Sequence, residues 1–189
     1  MKVNGKLIAF TLILIATATL CKIYFAPKYE WSGFSPIIAI ALFSGMMSKD
    51  KSSSFLLPLL SIFISDVIID VLHRYDQFPF AGLYKHQFFN YTLLLATTLI
   101  GWALKGRNYT SLFAGAIAAP TLFFLVSNFN VWVTDIHGAY SPSISGLMTC
   151  YAAGLPFYKH ALTATLLFVP AIAFTYNYLL KKRMAIVLQ

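Results

Sequence analysis

A helical bundle embedded in a membrane is the fold class this sequence predicts, and three observations predict it. Hydrophobic residues make up 59% of the chain and charged residues 11%, against about 25% charged in soluble domains. Mean hydropathy is +0.72. Apolar runs of roughly 18 or more residues, long enough to cross a bilayer as a helix, recur along the chain. Lys and Arg sit at the ends of those runs rather than in a stripe. That placement argues against a nucleic-acid partner despite the net charge of +8, because such a face needs clustered positive charge. It is what the positive-inside rule expects of a chain whose partner is the lipid bilayer. The reading is an all-α membrane protein: a six-transmembrane-helix bundle in which residues 1–189 form a single integral membrane domain.

The spans follow in order. The first, about 7–25, contains LIAFTLILIATATL. It lacks a small-x-small cleavage pattern followed by a soluble domain, so it reads as a retained helix rather than a signal peptide. The second, about 34–48, begins Phe34-Ser35-Pro36, and proline is at home in the first turn of a helix. It is short for a crossing and needs tilt or shelter within the bundle. The third, about 54–73, closes on SDVIIDVLHR; the fourth and fifth cover about 88–104 and 111–133, and the sixth about 160–180. Between the last two lies a long connection, 134–159. Its Tyr140-Ser141-Pro142 start and Gly154-Leu155-Pro156 end bracket a short apolar piece, expected to lie as a lid or re-entrant segment.

Six spans put both termini on one side, with the turns 49–53 and 105–110. Lys2, Lys6, Lys49, Lys51, Lys105, Arg107, Lys181, Lys182 and Arg183 fall there, against Lys22, Lys28, Arg74, Lys85 and Lys159 opposite. That bias predicts cytoplasmic termini. The outward connections 26–33, 74–87 and 134–159 are then the long ones, rich in aromatic residues, His, Pro and Gly. Recognition is expected from outside, since loops on a rigid scaffold carry specificity.

Asp66, Asp70 and His73 stand at i, i+4 and i+7 on the third span and share one helix face. An ionisable group within a span usually faces the bundle interior or a watery cavity. One reading makes this face the polar floor of an outward cavity that touches a substrate or cation. The other gives Asp66 a structural hydrogen bond and leaves Asp70 and His73 wet at the boundary. A D-x3-D-x2-H metal site suits several divalent ions but lacks a fourth ligand of obvious spacing. In the loop FPFAGLYKHQFFNY, Tyr84, Lys85, His86 and Tyr91 offer hydrogen bonds at the bundle mouth. Tyr91 reads more simply as an interfacial anchor. The fifth span ends SNFNVW, where Asn128 and Asn130 lie beside Phe129 and Trp132. Those amides suit a ligand, or equally hydrogen bonding between helices. Cys21 reads as a small buried hydrophobe. Cys150 is a candidate thiol, and both cysteines fall on the side where a disulfide could form. No CxxC, HExxH, Walker motif or nucleophile elbow is present, so the residues give no support to enzymatic chemistry.

The strings FSPIIAIALFSG, SDVIID, SNFNVW and GLMTCYAAGLPF resemble a group of bacterial inner-membrane proteins that includes the BtuM-type vitamin B12 transporters. These are similar to the S-components of energy-coupling factor (ECF) transporters, six-helix bundles that capture a vitamin from outside. The similarity runs over about residues 33–178. It implies an S-component-like fold in the inner (cytoplasmic) membrane, with no cofactor and with cobalamin or a corrinoid as substrate. An aspartate in the third helix and a tyrosine in the following loop belong to the BtuM-type site, and Asp66 and Tyr84 match them in kind and separation. That family also ligates cobalt through a loop cysteine. The corresponding place here is near Pro79, and no cysteine lies between Cys21 and Cys150. His73 or His86 is the remaining nitrogen candidate for a cobalt contact. S-components pack on an energising module through small residues of the first span, for which Ala9, Ala16 and Ala18 are available without an A-x-x-x-A pattern.

The expectation is therefore a vitamin-type uptake protein whose small-molecule site draws on Asp66, Asp70, His73, Tyr84, His86, Asn128, Trp132 and Tyr140. An ECF-type module is its possible partner. The alternative is a structural or assembly subunit of a membrane complex, without a closed pocket. A third reading, a metal-dependent membrane enzyme, requires Asp66, Asp70 and His73 to converge on an ion.

Overall fold

The structure is a computed structural model that describes residues 5–47, 51–85, 87–104, 109–135 and 138–180, with backbone alone at 51–53, 109 and 180. The regular elements among them are helices: α1 (Gly5–Phe25), α2 (Ile37–Met47), α3 (Lys51–Arg74), α4 (Gln87–Ala103), α5 (Tyr109–Val133) and α6 (Ile144–Leu180). A short 3-10 turn, Tyr29–Trp31, lies between α1 and α2. Helices α1, α3, α5 and α6 are long and apolar enough to cross a membrane. This is a multi-pass membrane protein.

Two expectations are corrected. The second apolar segment is a helix of 11 residues, roughly 16 Å long, about half of a ~30 Å hydrocarbon core. It does not cross. Every residue from Ile38 to Met46 is buried. A helix apolar on all sides has no face for water and belongs at the centre of a bundle. That is where it lies. Helices α1, α3, α4, α5 and α6 touch in that cyclic order and close a ring around α2. Phe10 of α1, Phe43 of α2 and Tyr176 of α6 meet edge-on or tilted, with ring centroids 5.4–5.9 Å apart. On the opposite side α2 meets α4 through glycines. A Cβ on Gly45 would overlap the Thr98 carbonyl, and one on Gly101 would overlap that of Leu42. Small residues of this kind let membrane helices approach backbone to backbone.

The second correction concerns 134–159. No lid or re-entrant piece forms from residues 144–159, because α6 already begins at Ile144 and runs for 37 residues. Ser143 caps it, its Oγ accepting from Gly146 N at 3.2 Å. Gly154 and Pro156 punctuate the sequence but not the helix. A Cβ on Gly154 would overlap the Asn128 side chain, so this glycine serves contact with α5 rather than a turn. Proline inside a helix is tolerated in a membrane bundle when neighbours supply replacement contacts. Pro58, Pro120 and Pro170 are further instances.

Helix α3 ends in a Schellman motif: Gln77 N donates to Leu72 O at 2.9 Å and Asp76 N to His73 O at 3.0 Å. Asp76 takes the left-handed position, with φ 59°.

Candidate functional site

Because α2 is half-length, the ring encloses more space than α2 fills. The remainder is a cavity of about 290 Å³ at its N-terminal end. Ile37 and Ile38 of α2 form its floor, and the α1–α2 connection closes over it through Gly33, Phe34 and Ser35. Phe123, Phe124, Ser127 and Asn128 of α5 face Phe157, Tyr158 and Ala161 of α6 across it. Phe124 and Tyr158 stack at 4.8 Å. Lys22 of α1 contributes the one charged side chain among the described residues of the lining.

Several polar groups gather at this wall. The first turn of α2 borders the cavity, and Ser35 Oγ accepts from Ile37 N at 3.4 Å. The positive end of a helix favours negative charge. Asn128 Nδ2 donates to Phe124 O at 2.9 Å. The covering connection is fastened by His160, whose Nδ1 lies 3.1 Å from Ser32 O and whose ring stacks on Trp31 at 5.8 Å. Gly33 is in the left-handed region at φ 92°, with the Phe157 backbone against its Cα. This fits the connection's tight turn onto α6.

Asp66 lies behind Lys22. It is fully buried, and it pairs with Lys22 through Oδ1. Its Oδ2 accepts from Tyr91 Oη at 2.7 Å and from Gln87 Nε2. The Gln87 Oε1 is buried without a hydrogen-bond partner among the described residues. Asp66 thus reaches the cavity only through Lys22.

The other sequence candidates separate. Asp70 Oδ2 accepts from Arg74 Nε at 2.9 Å, and its Oδ1 accepts from Leu83 N at 3.3 Å. His73 Nδ1 lies 2.8 Å from Phe78 O. Both hold the α3–α4 loop down on α3, where Gly82 rests against the Asp66 carbonyl. Tyr84 Oη accepts from Asn90 Nδ2 at 2.6 Å on the exposed rim. Desolvation raises the Tyr84 pKa above the usual tyrosine value, against the opposing effect of the Asn90 hydrogen bond, so the phenol stays neutral. Trp132 Nε1 donates to Ser141 O at 3.0 Å, and Tyr140 N donates to Asp135 Oδ2 at 2.6 Å. These two secure the α5–α6 turn. Of the eight sequence candidates, Asn128 lines the cavity, Asp66 backs it, and five lie elsewhere. His86 falls outside the described residues. No cluster of three metal-ligating side chains occurs among the described residues. Cys21 and Cys150 are not bonded to each other, and Cys150 Sγ donates to Asn128 O at 3.4 Å.

Sequence reasoning missed Lys22 and Gln87, and it read Tyr91 as an anchor. The signal was present in outline. A buried carboxylate in a span demands a cation and donors, and Lys22 is the basic residue at the matching end of α1.

Searches of curated proteins and of solved structures returned no match to this chain. A family model matches residues 2–187. The chain belongs to the DUF6580 family, a family of unknown function.

Proposed function

We propose that this protein captures a small molecule in the α2 cavity and carries it across the membrane, taking it up from the side of the long connections. The observation that supports this reading is the cavity itself: about 290 Å³, walled mostly by aromatic and aliphatic groups, with a few convergent polar atoms. Ligand sites are of that kind, at ~300–1,000 Å³. An assembly subunit needs no such space, which weighs against that alternative. The volume also bears on the substrate. A corrinoid is far larger and would require the ring to open, so the proposed cargo is a smaller, largely flat molecule. Of the small residues offered for an ECF-type module, Ala9 and Ala16 lie exposed on α1 and Ala18 is buried in the core.

Mass spectrometry of the molecule retained by the purified protein tests the proposal. Ala161→Phe places a ring in the cavity and is expected to abolish retention while helix content stays intact. Equal retention by wild type and variant would refute a site in this cavity.

A further inference from the structure

We propose that the cavity binds a monoanionic aromatic acid through Lys22, and that Asp66 takes up one proton as the anion arrives. The inference rests on the small-molecule reading above and names its ligand class.

The sign of the ligand follows from the lining. Lys22 is the charged group there, and the first-turn amides of α2 add partial positive charge. The walls are rings: Phe34, Phe123, Phe124, Phe157 and Tyr158. A flat apolar body with one carboxylate satisfies both. Lys22 is already neutralised by Asp66. A second anion beside that pair would leave one buried negative charge uncompensated, which is costly. Protonation of Asp66 removes the excess. The charge balances: Lys⁺ and Asp⁻ before, then Lys⁺, neutral Asp66 and the bound carboxylate after, with one proton drawn from water.

The surroundings of Asp66 accommodate both states. Ionised, it accepts from Tyr91 and Gln87 and pairs with Lys22. Protonated, it becomes a donor, and Gln87 holds a buried acceptor, Oε1, otherwise without a hydrogen-bond partner. Rotation of that amide exchanges donor for acceptor. The charged and titratable groups facing Asp66 from its packing partners are Lys22 on α1 and Tyr91 on α4, while α2 presents none. On α3 itself, Asp70 one turn away is held by Arg74.

The test is calorimetric titration of the full chain in detergent with phenylacetate, using phenylacetamide and 2-phenylethylamine as matched neutral and cationic probes. Phenylacetate is expected to bind most tightly. Its Kd should rise about tenfold per pH unit where Asp66 is ionised when free and protonated when bound. Buffers of different ionisation enthalpy should report about one proton taken up per ligand. The Asp66→Asn variant is expected to bind without that pH dependence. The double variant Lys22→Met/Asp66→Asn, which buries no lone charge, is expected to lose the preference for acid over amide. Binding of the amide or amine at parity with the acid overturns the inference and leaves small-molecule capture standing. A pH-independent Kd, or an acid preference that survives in the double variant, overturns it as well. Loss of all three probes from wild type, with equal retention of native cargo by wild type and Ala161→Phe, overturns both readings.

Discussion

Replacing Gly101 with alanine tests the centre of the fold. A Cβ there overlaps the Leu42 carbonyl oxygen and comes within 3.0 Å of its carbon and 3.1 Å of Met46 N. All three are backbone atoms of α2, so no side chain can swing aside. The helices must part, and a gap of roughly 0.5–1 Å forfeits a quarter to a half of the dispersion energy along the seam. Overpacking of this kind costs about 1–3 kcal/mol. Alanine returns up to about 1 kcal/mol through its helix propensity. With backbone on both sides the steric cost sits at its upper end, leaving a net loss of about 1–2 kcal/mol. At roughly 2–4 °C per kcal/mol for a chain of this size, Tm should fall by about 4 °C. Thermal unfolding in detergent, followed by circular dichroism, reads this directly. Gly115→Ala is the matched control, because its Cβ meets the Leu104 Cδ1 methyl, the end of a flexible side chain. It should shift the midpoint little. If Gly101→Ala melts at or above wild type, the backbone contact between α2 and α4 is not the tight seam described.

Further outcomes follow from the polar groups. Asp66→Ala strands Lys22 in a mostly buried setting and should cost about 3–5 kcal/mol, whereas Lys22→Met/Asp66→Leu should recover most of it; comparative melts decide. Asp70→Asn and His73→Ala should each quicken proteolysis within 75–85 while leaving the global melt nearly unchanged, because they free a loop from α3. Unchanged cleavage would detach those residues from loop anchoring. Asp76→Gly should raise the melt only slightly, by under about 1 kcal/mol, since relief of roughly 1–2 kcal/mol of left-handed strain is offset by about 0.4–1 kcal/mol of added unfolded-state entropy.

The membrane class, the helical content and the inward placement of Asp66 were legible from the residues. A carboxylate far inside an apolar run declares itself by its cost. The partners did not, because Lys22 and Gln87 lie 44 and 21 positions away and meet Asp66 only once α1, α3 and α4 are side by side. Lys22 looked like one more charge at a helix end. Asp70 and His73 share the face of Asp66, yet a loop folded back on that face takes up their polar atoms, and helical periodicity does not reveal a returning loop. The second segment was visibly short, but composition alone does not tell a short helix sheltered at the bundle centre from a tilted one. Gly154 and Pro156 misled for the same reason. Each is punctuation in an isolated peptide, and here each sits within a helix packed against α5.

The short central helix also gives the architecture a way to vary. Each turn of α2 occupies 5.4 Å of the bundle axis, so trimming or extending its N-terminal end would deepen or fill the chamber while the five surrounding helices keep their contacts. Cargo size is thereby separable from scaffold stability: one segment sets capacity, and the wall need not be rebuilt to change it.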